Sequence, residues 1–160
     1  MNIIRFIKVL SVVLVFLVSL SVSFAAEKSN TAIKWHSLRD GKEKAKTEKK
    51  PMIIDFAISE GCPRCEAMQR NVYSRKEIAE RINKDFVPVR IDLSRELTEE
   101  ERKLGEEYDF KNDCLLLFLD HEGRILKDPS GKRLCFMDAV DTDTFLKYLD
   151  SIRNSLKGKL

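Results

Sequence analysis

The stretch whose reading decides the fold is Met52-Ile53-Ile54-Asp55-Phe56-Ala57-Ile58-Ser59-Glu60-Gly61-Cys62-Pro63-Arg64-Cys65. Its first seven residues are apolar except for Asp55. A short run of that kind, ended by Ser59, Glu60 and Gly61, reads as a buried strand. Cys62-Pro63-Arg64-Cys65 then opens a helix expected to reach about Asn71, with Pro63 in the first turn, where its missing N–H is not needed. A C-x-x-C at a helix start, directly after a buried strand, favours a redox dithiol. The free N–H groups and the positive end of the helix dipole favour a thiolate at Cys62. Arg64 adds a positive charge nearby, and Glu60 opposes it. Cys65 lies one turn on, within reach of a mixed disulfide on Cys62. Cys62 is therefore read as the nucleophile and Cys65 as the resolving thiol. The alternatives are a structural disulfide, half of a zinc site and a pair of inert thiols; the second C-x-x-C of a usual zinc site is absent.

Upstream, 37–50 is rich in Lys, Glu and Ala and reads as an exposed helix, its lysines a solvated face. Downstream, Ser74 with Glu77 suggests a capping box for a helix reaching about Lys84. The run 86–92 is a second strand in which Pro88 argues for an edge or a bulge. Thr98 with Glu101 suggests another capping box, for a charged helix over 98–108. The apolar run 115–119 is a buried strand, 120–123 a turn, 124–127 a returning strand and 128–131 a second turn. A short apolar piece follows at 134–137. A last helix starts at Asp141 or Thr142, with Phe145, Leu146, Leu149 and Ile152 on one face. Early strands separated by helices pair in parallel, and the late hairpin adds an antiparallel edge. The class is α/β, a central mixed sheet flanked by helices.

The 160 residues hold 29 Lys and Arg, 26 Asp and Glu and four cysteines. That composition excludes collagen, a disordered chain, a polytopic membrane protein and a basic nucleic-acid tail. Four cysteines are too few for a disulfide-dense miniature scaffold. Residues 1–25 carry Arg5 and Lys8, no acid, an apolar run over 9–20 and small residues before Ala26, the pattern of a signal peptide cut after Ala25. The alternative is an uncleaved membrane anchor, with Arg5 and Lys8 snorkelling to the interface. The folded part is then 26–160, and without Arg5 and Lys8 its net charge is +1. Either reading places it outside the cytoplasm, in the periplasm or an equivalent exported compartment where disulfides persist.

Trp35, the Lys- and Ala-rich helix, Lys50-Pro51-Met52-Ile53-Ile54-Asp55-Phe56 and Gly61-Cys62-Pro63-Arg64-Cys65 together resemble the thioredoxin-like superfamily, in its exported single-domain branch. The resemblance covers about 33–150. It implies a three-layer fold around a central mixed sheet and thiol–disulfide exchange with protein substrates. It implies no bound organic cofactor, the redox group being the Cys62–Cys65 pair itself. A membrane-bound or exported redox partner would follow from such a role, and nucleic acid would not. Asp55 matches the family's buried strand carboxylate, which exchanges a proton with the resolving thiol, here Cys65. A carboxylate inside an apolar strand should have a raised pKa, which suits that role; the contrary reading puts Asp55 at an exposed strand end.

The chain departs from the family pattern in three places. One extra residue separates Asp55 from Cys62. Gly61 stands where many members carry Trp, leaving the dithiol more open. Cys114 takes the place of a proline that faces the dithiol. Cys135 follows the hairpin and is expected near Cys114, so four cysteines would converge at one end of the sheet. Cys114 and Cys135 then form a second disulfide, or stay as separate buried thiols, or join Cys62 and Cys65 around a soft metal or an iron–sulfur centre. The last reading makes the chain a metal-binding module, the alternative to an oxidoreductase. His36 and His121 read as surface residues.

Overall fold

The computed structural model describes residues 32–58, 60–108, 116–128, 130, 131, 133, 135, 136 and 141–157. The segment 1–25, Ser59 and Cys114 lie outside them, as does the side chain of Cys135.

Helix α1 covers Leu38–Glu48 and starts at Ser37, whose side chain accepts from the Asp40 N–H at 3.1 Å. It is charged on one side, but Leu38, Gly41 and Ala45 are buried against the sheet. Strand β1, Met52–Ala57, follows. Helix α2 covers Pro63–Met68 and runs on as a π turn over Gln69–Tyr73, two residues beyond the expected end at Asn71. Helix α3 is Lys76–Asp85, β2 is Val87–Asp92 and α4 is Glu99–Glu107. Strands β3, Leu116–Leu119, and β4, Cys135–Phe136, precede helix α5, Thr142–Lys157. Among the described residues no helix is long and apolar enough to cross a membrane.

The sheet order is β2-β1-β3-β4. β1 and β2 are parallel, with Asp55 opposite Arg90. β3 runs antiparallel to β1, and β4 antiparallel to β3 with Cys135 opposite Leu117. The expected mixed α/β sheet is therefore present. Strand alternation divides the core. Met52, Ile54, Phe56, Val87, Val89, Ile91, Leu117 and Leu119 pack with α1 and α4 on one face. Ile53, Leu116 and Phe118 pack with Val72, Tyr73, α3 and α5 on the other. Both faces are covered, which is why the strand sequences read as nearly continuous apolar runs. Asp55 shares the face of Ile53, which is the face that α2 covers.

Pro88 lies on an edge strand, as expected. Outside it, the backbone of His36 bridges to β2, its N–H donating to the Pro88 carbonyl at 3.0 Å and its carbonyl accepting from the Arg90 N–H at 3.1 Å. That bridge sets Trp35 beside the strand. The Thr98–Glu101 capping box is present, with both reciprocal bonds made.

Two local expectations are corrected. Ser74 does not cap α3: its hydroxyl donates to the Arg70 carbonyl at 2.7 Å, so the helix starts after Arg75 with no side-chain cap. Residues 124–127 are not a continuous returning strand. Ile125 makes a single bridge to Leu119, Lys127 pairs with Arg133 across the second turn, and regular pairing resumes only at β4. Beside the first turn the pairing is intact, with the Asp120 N–H donating to the Arg124 carbonyl and the Leu126 N–H to the Phe118 carbonyl, both at 2.8 Å; it breaks beyond Leu126, where the chain leaves β3 for the second turn.

Candidate active site

Cys62 is the N-cap of α2. Its Sγ accepts from the Cys65 N–H at 3.1 Å, and its carbonyl accepts from the Glu66 N–H at 3.0 Å. Pro63 occupies the first turn. The two cysteines are half-buried and joined in a disulfide, with Cα atoms 5.3 Å apart. A helix start supplies the N–H groups that stabilise a thiolate on Cys62 once the bond is reduced. Gly61 has φ +73°, and among the described residues a side chain there would meet nothing within 4 Å. Its backbone form therefore asks for glycine. Glu60 is exposed beside it.

Behind the disulfide lies a groove of about 340 Å³, whose wall includes Cys65, Arg64, Met68, Tyr73, Asp55 and Arg90. Asp55 is buried, 8% exposed, and not at a solvated strand end. The Arg90 guanidinium grips its Oδ2 from Nη2 at 2.8 Å and Nε at 3.0 Å. Burial raises the Asp55 pKa, and Arg90, Tyr73 and Arg64 pull against it. A buried carboxyl whose proton affinity is raised by desolvation and trimmed by a cation is suited to proton exchange. Arg90 is itself held by aromatic rings: its Cζ lies 4.0 Å from the Trp35 ring centroid and 5.4 Å from that of Tyr73.

The structure thus brings Cys62, Cys65, Pro63, Gly61, Arg64 and Asp55 to one end of β1. Cys114 is outside the described residues, so its expected place facing the dithiol and its pairing with Cys135 are as well. Among the described residues no three His, Cys, Asp or Glu side chains come together to hold a metal.

Arg90 and Tyr73 were not singled out from sequence. A signal for Arg90 was present: it is the one charge in the apolar run 86–91, as Asp55 is in 52–58. Two opposite charges, each alone in a buried strand, are natural partners.

Residues 34–120 match the model of a family described as thioredoxin-like. The chain belongs to this family. It is similar to an uncharacterized protein of Archaeoglobus fulgidus, 32% identical over 89 residues that make up 56% of this chain and 67% of that one. Among solved structures it is similar to a DsbH oxidoreductase, with a TM-score of 0.56 and 22% identity over 76% of this chain and 84% of that one. A thioredoxin from Thermus thermophilus gives a TM-score of 0.57 at 18% identity, covering 76% and 87%. The C-terminal domain of Neisseria meningitidis DsbD in its oxidised form gives 0.54 at 19%, covering 71% and 91%. At such identities these likenesses establish the fold. A thioredoxin-like fold with a C-x-x-C pair joined at a helix start supports a thiol–disulfide oxidoreductase.

Proposed function

We propose that this protein is an exported thiol–disulfide oxidoreductase that exchanges disulfides with protein substrates through Cys62 and Cys65. The observation that carries the reading is the disulfide between two helix-start cysteines, with a buried carboxylate and its arginine in the groove directly behind.

In the reducing direction the Cys62 thiolate attacks a substrate disulfide. A mixed disulfide forms and one substrate thiolate leaves. Cys65 then passes its proton to Asp55 and attacks Cys62 Sγ. The Cys62–Cys65 bond forms, the mixed disulfide breaks and the second substrate thiolate leaves. The substrate gains two electrons and the dithiol loses them. The oxidising direction runs the same steps backwards. The cysteine pair is the redox group, so no further cofactor enters. A second protein thiol or disulfide, exported or membrane-bound, resets the pair. Export rests on the sequence of 1–25, and the DsbH and DsbD likenesses are in keeping with a protein partner.

The test is turnover of a model protein disulfide. Cys62→Ser is expected to abolish exchange, and Cys65→Ser to accumulate a mixed disulfide visible on a non-reducing gel. Full activity in Cys62→Ser would refute the reading.

A further inference from the structure

The π turn over Gln69–Tyr73 adds a residue to the helical repeat, which turns the side chains after it by about 100° relative to an unbroken α-helix. The turn carries Tyr73 inward, to 5% exposure, edge-on to Trp35 at 5.3 Å and to Phe145 at 6.4 Å. Tyr73 lines the groove behind Cys65, and its buried hydroxyl has no hydrogen-bond partner of ordinary geometry among the described residues. A buried hydroxyl without a partner is rare enough to need a reason.

The charged and titratable groups around this groove are Asp55 on β1, Arg90 and Asp92 on β2, Arg64, Cys65 and Glu66 on α2, and Arg70 on the π turn. Glu66 and Arg70 are exposed and paired with each other at 3.2 Å. Asp92 accepts from the Ser94 N–H at 2.8 Å. Asp55 is the acceptor whose state the phenol feels: burial first, then the Asp55 charge, raises the Tyr73 pKa well above the ordinary tyrosine value. Tyr73 therefore stays protonated and keeps its O–H available to donate.

We propose that Tyr73 is a positioning residue for the dithiol reaction: its hydroxyl donates to the charged Asp55 carboxylate, directly or through one water in the groove, and keeps that carboxylate ready to accept the Cys65 proton. The inference rests on the thiol–disulfide reading and adds a residue to it. The proton balance is that of the resolving step. The Cys65 S–H bond breaks, its proton goes to Asp55, the Cys62–Cys65 bond forms and the substrate sulfur leaves as a thiolate. Tyr73 loses no proton. It favours the charged acceptor against the burial that disfavours it, alongside Arg90 from the other strand.

The experiment uses Tyr73→Phe, which keeps the ring between Trp35 and Phe145 and removes only the hydroxyl; Tyr73→Met serves if that variant does not fold. Carbon-13 NMR of the Asp55 side-chain carboxyl in the oxidised protein needs no exchange activity. The titration midpoint is expected at higher pH in the variant, and an unchanged or lower midpoint overturns the proposal. Stopped-flow resolution of the mixed disulfide is expected to slow about tenfold below the Asp55 midpoint that this titration measures, the size of one lost hydrogen bond to a charged group. It should stay within about twofold of the parent well above the measured midpoints of both proteins. Slowing by the same factor at every pH overturns the proposal, because it would mark a purely structural tyrosine. Failure of the parent protein to exchange disulfides would sink the functional reading alone and leave the Asp55 titration to decide the Tyr73–Asp55 contact.

Discussion

Arg90→Met is expected to weaken the fold by an amount that grows with pH. The substitution keeps an unbranched stem and removes the guanidinium that makes both contacts to Asp55 Oδ2, at 2.8 and 3.0 Å. With the charges about 4 Å apart and an effective dielectric constant of about 20, their attraction is about 4 kcal/mol. Solvent trims it, since the Arg90 side chain is 30% exposed against 11% for Asp55. Stacking of the guanidinium on Trp35 contributes about another 1 kcal/mol, and that part does not depend on pH. Burial raises the Asp55 pKa in the native state. The folded chain therefore holds this proton at pH values where the unfolded chain has released it. Over the window from the unfolded value, near 3.8, up to the folded one, stability falls as pH rises. Without Arg90 the folded value moves higher and the window widens. The expected loss is about 1 kcal/mol at about pH 3, below the unfolded value, where the carboxyl is largely protonated in both states and only stacking is missing, and about 3 kcal/mol at pH 8. Urea unfolding of the oxidised parent and variant at both pH values measures it. Carboxylates whose pKa is lowered, such as Glu101 beside Arg95, slope the other way, but they are common to both proteins and cancel in the difference. An equal loss at the two pH values, or a larger one at the acid pH, would refute the argument.

Two further substitutions test the frame that holds the site. Gly41→Ala places a methyl 2.2 Å from Val89 Cγ2. Although alanine is the better helix former by about 1 kcal/mol, overpacking α1 against β2 should lower stability by about 1–3 kcal/mol, read as a lower urea midpoint at unchanged slope. Thr98→Ala removes the acceptor for the Glu101 N–H and the donor to its Oε2, leaving the Arg95 pair and the Thr98 backbone bond in place. It should cost about 1 kcal/mol, with disulfide exchange unchanged, by the same unfolding measurement and a turnover assay.

What was legible from sequence follows the range of the forces involved. The strand over 52–57, the proline-started helix at 63, the Thr98–Glu101 box and the apolar face of Phe145, Leu149 and Ile152 are patterns within a few residues, set by strand alternation, helix periodicity and capping. The mistaken cap at Ser74 is of the same local kind: the pattern was right, but the π turn took the hydroxyl for the Arg70 carbonyl. The returning strand is cut short because the chain leaves β3 after Leu126 for the second turn, which Lys127 and Arg133 close.

By itself, the sequence determined an α/β chain with a dithiol at a helix start and a lone acid in the strand before it. Tertiary structure alone decided what that acid meets. Parallel pairing of β1 and β2 sets Arg90 across from Asp55 at a separation of 35 residues. The edge bridge at His36 lays Trp35 over the guanidinium, and the π turn swings Tyr73 underneath. A buried charge needs a partner, but nothing local says which one. The partner is chosen by strand register and by the packing of helices across the sheet, and these exist only once the chain has folded.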